Sequence, residues 1–277
     1  MSPRAYFADD PGELSLDGTW FFDYHRSDPN PDINPEVAFE QPLVPEAETI
    51  DVPSHWVLRE EGRWGAPAYT NVDFPFPVDP PFPPEENPVG DYSRCFVCPE
   101  SWLTSGGQIR LRFEGVESQI VVWVNGQWIG MARGSRLAHE FDITEVLVPG
   151  ENTVTLRVHQ FSAGSYLEDQ DQWWLPGVFR SVSMRYLPAF SIEDLWINTD
   201  YEAGEGFATL ELRVRGAQSE TLEANLDIEG LGASALTLTR GEDGRYRSER
   251  IGLGTVQPWS PQSPKLYAAC VEVAGGG

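Results

Sequence analysis

The densest collection of groups able to do chemistry lies between Ser165 and Arg180, where the chain reads Ser-Tyr-Leu-Glu-Asp-Gln-Asp-Gln-Trp-Trp-Leu-Pro-Gly-Val-Phe-Arg. Three carboxylates (Glu168, Asp169, Asp171) and two indoles (Trp173, Trp174) fall within a few positions of one another. Indoles stack on the C–H faces of a pyranose and carboxylates accept its hydroxyl hydrogens, so the run has the chemistry of a sugar site. It equally has the form of an acidic turn entering a strand whose tryptophans belong to the core, and composition does not separate the two. Glycoside hydrolysis itself requires two carboxylates across the scissile bond, about 5–5.5 Å apart for retention and about 6.5–9.5 Å for inversion. Glu168, Asp169 and Asp171 are too close in sequence to make such a pair, because neighbours on one strand or turn diverge.

Other catalytic arrangements are poorly served. The four histidines stand at 25, 55, 139 and 159, with no G-x-S-x-G nucleophile elbow and no glycine-rich phosphate loop. His55, in Pro53-Ser54-His55-Trp56, reads as a structural residue at a strand end. Cys95 and Cys98 have C-x-x-C spacing inside an apolar, aromatic run. On a strand, residues three apart face opposite ways, so these sulfurs diverge instead of chelating and are expected to be buried thiols. Three cysteines do not form a disulfide framework.

The elements that must position these residues are strands. Gln108–Phe113 and Thr153–Val158 alternate apolar with polar side chains, as half-buried strands do. Ile120–Val124 is apolar on both faces and ends at Asn125-Gly126, a pair that tolerates positive φ in a tight hairpin, with Gln127–Met131 returning. Pro149-Gly150-Glu151-Asn152 separates a segment at Ile143–Val148 from the strand beginning at Thr153. Between Pro75 and Pro88, seven prolines remove ladder donors, which predicts a long, rigid, extended loop. That loop is either a strap over a sheet edge or a wall of a binding site. After Leu187-Pro188 a second strand set opens, with strands predicted at Ser191–Ile197, Ala208–Val214, Leu222–Ile228 and Lys265–Val273. The spacing and the glycine-rich joints predict a small immunoglobulin-like sandwich. No amphipathic helix of useful length is predicted. The expected organisation is all-β, with a jelly-roll β-sandwich over 1–188 and an immunoglobulin-like β-sandwich over 189–277.

Composition narrows the partners. Of 277 residues, 40% are hydrophobic and ten are Trp, which excludes disorder for the bulk. A formal charge of −24 repels polyanions, so nucleic acid is not an expected ligand, whereas a neutral sugar is indifferent to it. No run approaches the roughly eighteen apolar residues of a membrane span, and Met1–Ala5 lacks the apolar core of a signal peptide, so no membrane partner and a cytoplasmic location are the expectations.

Several segments in order resemble the large β-galactosidases of glycoside hydrolase family 2. Leu14–Trp20 is similar to the family's opening strand and Asp51–Trp56 to its V-P-x-x-W element. Ala68–Val72 followed by Pro80–Pro88 is similar to its Y-T-N-V and P-P-x-V-P-x-E-N-P run. Ser165–Trp173 reproduces S-Y-L-E-D-Q-D-x-W, Gly177–Arg180 follows as G-I-x-R, and Pro258–Pro261 with Pro264–Tyr267 resembles the end of the first immunoglobulin-like domain. The Tyr69–Pro88 run favours the β-galactosidase branch over relatives acting on glucuronides or mannosides.

The resemblance implies a retaining enzyme hydrolysing terminal β-D-galactosides such as lactose, in which these domains precede a TIM barrel carrying both catalytic glutamates and magnesium. It implies that Asn71 and Asp171 bind galactose hydroxyls over the barrel mouth, that Val72 lines the same edge, and that Asp171 joins a sodium site completed by the barrel. Glu168 and Asp169 would orient the loop. Gln172, Trp174 and Pro176 depart from the family pattern beside the site. The family's acid/base Glu follows an Asn, and the chain contains no Asn-Glu dipeptide. The expectation is therefore a fragment, cut at Ala274–Gly277, that holds no catalytic residue and is inactive alone. Its partners would be a galactoside, the missing barrel and C-terminal domains, and further copies in a homo-oligomer. The alternatives are a stand-alone galactoside-binding module or lectin and, third, a compact glycosidase using Glu168 or Asp171 as acid.

Overall fold

The computed structural model describes residues 12–29, 48–169 and 171–274, with only the backbone of Glu60. Met1–Ala5, Gln170 of the acidic motif and Gly275–Gly277 lie outside the described residues. Contacts divide the chain into two compact units that meet at Leu187/Pro188. Among the described residues no helix is long and apolar enough to cross a membrane.

The first unit contains fourteen described strands. They begin with β1 (Glu13–Ser15), β2 (Gly18–His25), β3 (Glu48–Val52), β4 (Ala68–Thr70) and β5 (Val89–Val97). They continue with β6 (Gln108–Phe113), β7 (Val116–Glu117), β8 (Gln119–Val124), β9 (Gln127–Arg133) and β10 (His139–Asp142). The last four are β11 (Glu151–His159), β12 (Gln172–Trp174), β13 (Gly177–Val178) and β14 (Val182–Leu187). A six-stranded sheet, β3-β2-β5-β11-β8-β9, and a four-stranded sheet, β1-β14-β6-β10, form the jelly-roll sandwich, with two short ribbons, β12-β4 and β13-β7, beside it.

The core between the sheets follows the period-two pattern. Trp20, Phe22, Tyr92, Ile109, Leu111, Phe113 and Leu156 are almost wholly buried, each contributing on the order of 1.5–3 kcal/mol of apolar burial. Phe22 meets Trp64 and Tyr92 edge to face at 4.6 and 4.8 Å. Asn125 and Gly126 take φ of 50° and 76°, the two positive values the β8–β9 hairpin turn needs. Asn125 also cross-links the turn to its surroundings, donating to Val146 O and Asn152 Oδ1 and accepting from the Thr153 amide. Charges inside this unit are paired: Arg157 and Asp91 stand opposite one another on β11 and β5 and form a bidentate bridge at 2.8 Å.

Three local expectations are corrected. The strand expected from Thr153 already starts at Glu151, and the segment before it contains a turn of 3-10 helix at Thr144–Val146, where Asp142 Oδ1 accepts from the Thr144 amide and hydroxyl. Cys98 is buried as expected, but Cys95 is exposed on β5.

The second unit is the immunoglobulin-like sandwich, built from β15 (Ser191–Glu202), β16 (Glu205–Arg215), β17 (Thr221–Ile228), β18 (Gly232–Arg240), β19 (Tyr246–Arg247), β20 (Ile251–Thr255) and β21 (Ala269–Val273). Its strands join in one antiparallel path, β15-β16-β19-β18-β17-β21, with β20 on β16. Leu210, Leu212, Leu226, Leu238 and Tyr246 fill its core. Its last strand starts at Ala269, the third correction: Lys265 to Ala268 lie outside the ladder, where Tyr267 Oη accepts from the Gln257 amide and the Lys265 ammonium stands 4.9 Å from the Tyr267 ring.

Candidate functional site

The acidic motif and the Tyr-Thr-Asn-Val segment meet in the β4–β12 ribbon. Its register pairs Gln172 with Thr70, Trp173 with Tyr69 and Trp174 with Ala68. Asp171 and Asn71 directly flank the last pair of this ladder, Gln172 with Thr70, and both are exposed. Because successive strand residues face opposite ways, the two indoles part company. Trp174 is buried, and its Nε1 donates to Thr70 Oγ1 at 2.8 Å. Trp173 is about half exposed and lies 5.4 Å from the equally exposed ring of Tyr69. The core reading holds for Trp174, while Trp173 faces solvent.

Asp171 has φ of 57°, a left-handed value that an Asp side chain tolerates and that turns the chain into β12. Its Oδ1 accepts a hydrogen bond from Tyr69 Oη. That bond pushes the phenol above its ordinary range, since losing the proton would set two negative oxygens face to face. Asn71 and Val72 are exposed next to it, Val72 by 79%. Asn71, Val72 and Asp171 are thus exposed at the end of this ribbon, where Tyr69 and Trp173 are exposed as well.

The edge is held from behind by ions. Ser165–Glu168 is one helical turn, and Glu168 Oε2 accepts the Ser135 amide at 2.8 Å. The neighbouring Arg136 bridges Asp169 at 3.5 Å and Glu117 at 3.1 Å, while Glu117 Oε1 accepts the Leu175 amide at 2.8 Å. One guanidinium thus fixes both flanks of β12, before Asp171 and after Trp174. Burial, followed by the charge of Glu117, lifts the Asp169 carboxyl to about 7, and burial raises Glu117 as well. Both carboxylates are sealed from solvent (0% and 2% exposed) and share Arg136, so no glycosidic bond reaches them.

The next residues wall the edge. Phe74 and Phe76 pack on Tyr166 and Trp174, and Phe76 also on Phe161. Tyr166 Oη donates to Phe82 O at 2.7 Å and accepts the Asp79 amide at 3.2 Å, tying the proline-rich segment to the acidic motif. After β12, Gly177 lets β13 approach closely: a β-carbon there would stand 2.6 Å from the Ser54 carbonyl oxygen. His55 stacks on Phe179 at 5.0 Å, a structural contact, and burial holds its imidazole below the usual range.

Sequence reasoning missed Tyr69, Arg136 and Glu117. Tyr69 stood inside a quoted motif, but its partner lies across a ribbon. Arg136 and Glu117 lie in no motif singled out from the sequence, and pairing alone reveals them. No group of three or more His, Cys, Asp or Glu able to hold a metal occurs among the described residues.

A jelly-roll and an immunoglobulin-like sandwich following one another along the chain are the class of β domains found at the front of family 2 glycosidases. The chain belongs to glycosyl hydrolase family 2: the family's sugar binding domain matches residues 14–188 and a second family 2 domain matches 190–277. It is 43% identical to a β-galactosidase of Arthrobacter sp. (strain B7), over 98% of this chain and 27% of that protein. It is 37% identical to a β-galactosidase of Pectobacterium atrosepticum, over 92% of this chain and 25% of that protein. A Bifidobacterium dentium β-glucuronidase, solved in complex with coumarin-3-O-glucuronide, shares the fold with a TM-score of 0.71 at 19% identity, covering 98% of this chain and 47% of that one. The chain spans about a quarter of the length of the curated relatives it matches.

Proposed function

We propose that this region supplies a sugar-contacting edge to the active site of a retaining β-galactosidase and does none of the bond breaking. The β4–β12 ribbon carries the reading, because Asn71 and Asp171 are exposed and directly flank its terminal Thr70–Gln172 pair. An amide both donates and accepts and a carboxylate accepts, which suits vicinal hydroxyls of a galactose. Val72 and the Tyr69–Trp173 pair add apolar surface for the ring. The names of the relatives support galactosides such as lactose over glucuronides. In this reading the opposed glutamates, the TIM barrel and the magnesium come from the remainder of the enzyme, which works as a cytoplasmic homo-oligomer.

Asp171 fits one arm of a sodium site. A carboxylate is the hard oxygen donor such an ion takes, but a single carboxylate already bonded to Tyr69 leaves most of the coordination to other groups. Sodium would supply fixed positive charge for a sugar hydroxyl oxygen, while Tyr69 orients the carboxylate.

The exposed Tyr69–Trp173 pair also favours a second reading, a free-standing galactoside lectin. Calorimetric titration of the chain with galactose and lactose separates them. An edge without the rest of the pocket should give heats that do not saturate below about 1 mM sugar. Saturation in that range, abolished by Asp171→Ala, would establish the lectin instead.

A further inference from the structure

The first unit has another polar concavity, of about 350 Å³, lined by none of Tyr69, Asn71, Val72, Asp171 and Trp173. Ligand pockets start at about 300 Å³, enough for one or two sugar rings. Four separate segments converge on it: Tyr24 and Arg26 from the end of β2, Arg63 from the turn after β3, Glu86 from the proline-rich segment, and Gln160 with Phe161 from the end of β11. Arg26 and Glu86 are exposed and Gln160 half-buried, and among the described residues their side chains have no hydrogen-bond or ion-pair partner in the protein, so three polar groups of different type are open to a ligand in one space.

The walls are rigid although the groups are free. Asn87, next to Glu86, is buried and locked to Phe161 twice, Nδ2 donating to its carbonyl and Oδ1 accepting its amide, both at 2.9 Å. The Gln160 amide donates to Pro88 O at 2.8 Å and Ser27 Oγ to Glu85 O at 3.2 Å. Buried Trp64 anchors the turn that carries Arg63. Gly65, at φ of 93°, leaves the Tyr24 hydroxyl uncovered: a β-carbon there would stand 3.5 Å from it. The backbone that carries these side chains is thus fixed before a ligand arrives, which leaves only the side chains themselves to be ordered.

The charges choose the ligand class. Arg63 is already paired with Glu48, and Glu86 balances Arg26, so the lining is neutral inside a protein of formal charge −24. An anion would meet Glu86 and the negative field of the whole. A neutral polyol suits every group, taking hydrogen bonds from the guanidinium and the amide, giving them to the carboxylate, and resting its C–H face on the half-buried Tyr24.

We propose that this pocket binds one ring of a neutral saccharide. The inference stands apart from the role given to Asn71 and Asp171. It is tested by amide chemical-shift titration of the full 277-residue chain with lactose, and separately with inorganic phosphate. Lactose is expected to shift the amides of Gly62, Gly65 and Gln160 saturably. The double variant Arg26→Ala/Gln160→Ala should bind roughly tenfold more weakly or worse, the loss of charge-assisted hydrogen bonds. Glu86→Gln, which keeps size and fold, should weaken lactose several-fold, and Asp171→Ala should leave these shifts intact. Silence of these amides toward lactose, saturation by phosphate alone, unchanged lactose binding in Glu86→Gln, or loss of their shifts in Asp171→Ala would each overturn the proposal. Silence here with shifts at Asn71 and Asp171 defeats this pocket and spares the edge.

Discussion

Replacing Trp174 by alanine is expected to lower the stability of the jelly-roll unit by about 3–5 kcal/mol, the cost of deleting a fully buried indole. Trp174 is 1% exposed, its ring meets Phe74, Phe76 and Phe161 at 5.6–6.0 Å, and its Nε1 bond to Thr70 closes the β4–β12 ribbon. The damage should therefore be local as well as global. Hydrogen exchange should accelerate first in residues 68–76 and 172–174, where the ribbon end that carries Asn71 and Asp171 loosens. A urea titration gives the stability change and exchange mass spectrometry its location. A loss below about 1 kcal/mol would mean that Trp174 is a surface residue in solution.

Arg136→Gln is expected to cost about 3 kcal/mol above about pH 8, at the lower end for breaking a buried ion cluster because Arg136 itself is 37% exposed. The cost should shrink in acid. Asp169 titrates at about 7 in the fold but near about 3.9 in an unfolded chain, so the folded state holds the extra proton. This carboxyl's contribution to stability accordingly falls as pH rises through that window and levels off once the folded form has ionised. Near about pH 5 Asp169 is neutral and needs no guanidinium, and the upward shift of Glu117 acts in the same direction, so the gap between the urea midpoints of parent and variant should narrow. Above about pH 8 the variant must either hold protons on both groups or bury two unpaired charges. A gap independent of pH would assign Arg136 a packing role instead of an electrostatic one.

Much of the scaffold was legible because strand chemistry is local. The alternation in Gln108–Phe113 and Thr153–Val158, and the positive-φ pair Asn125-Gly126, name a strand, a strand and a hairpin without reference to anything distant. The exposed Cys95 shows that period two assigns faces without saying which face is wet. The site was legible only in part. Its acidic and aromatic content was plain in Ser165–Arg180, but whether Trp173 or Trp174 faced solvent depended on a ribbon partner far away in sequence. Asn71 and Val72 entered through the family resemblance and not through their own chemistry. Arg136 and Glu117 could not be found at all, because an ion cluster across three segments leaves no spacing to read.

The account turns on a division of labour, in which these strands grip a sugar and the opposed acids that cleave it lie on another part of the enzyme. Its most direct test is turnover of an aryl β-galactoside by the purified 277-residue chain, prepared from a host lacking its own β-galactosidase. The account predicts no release of the aryl alcohol above the uncatalysed rate. Hydrolysis that copurifies with the chain and disappears in Glu168→Gln or Asp171→Asn would contradict it.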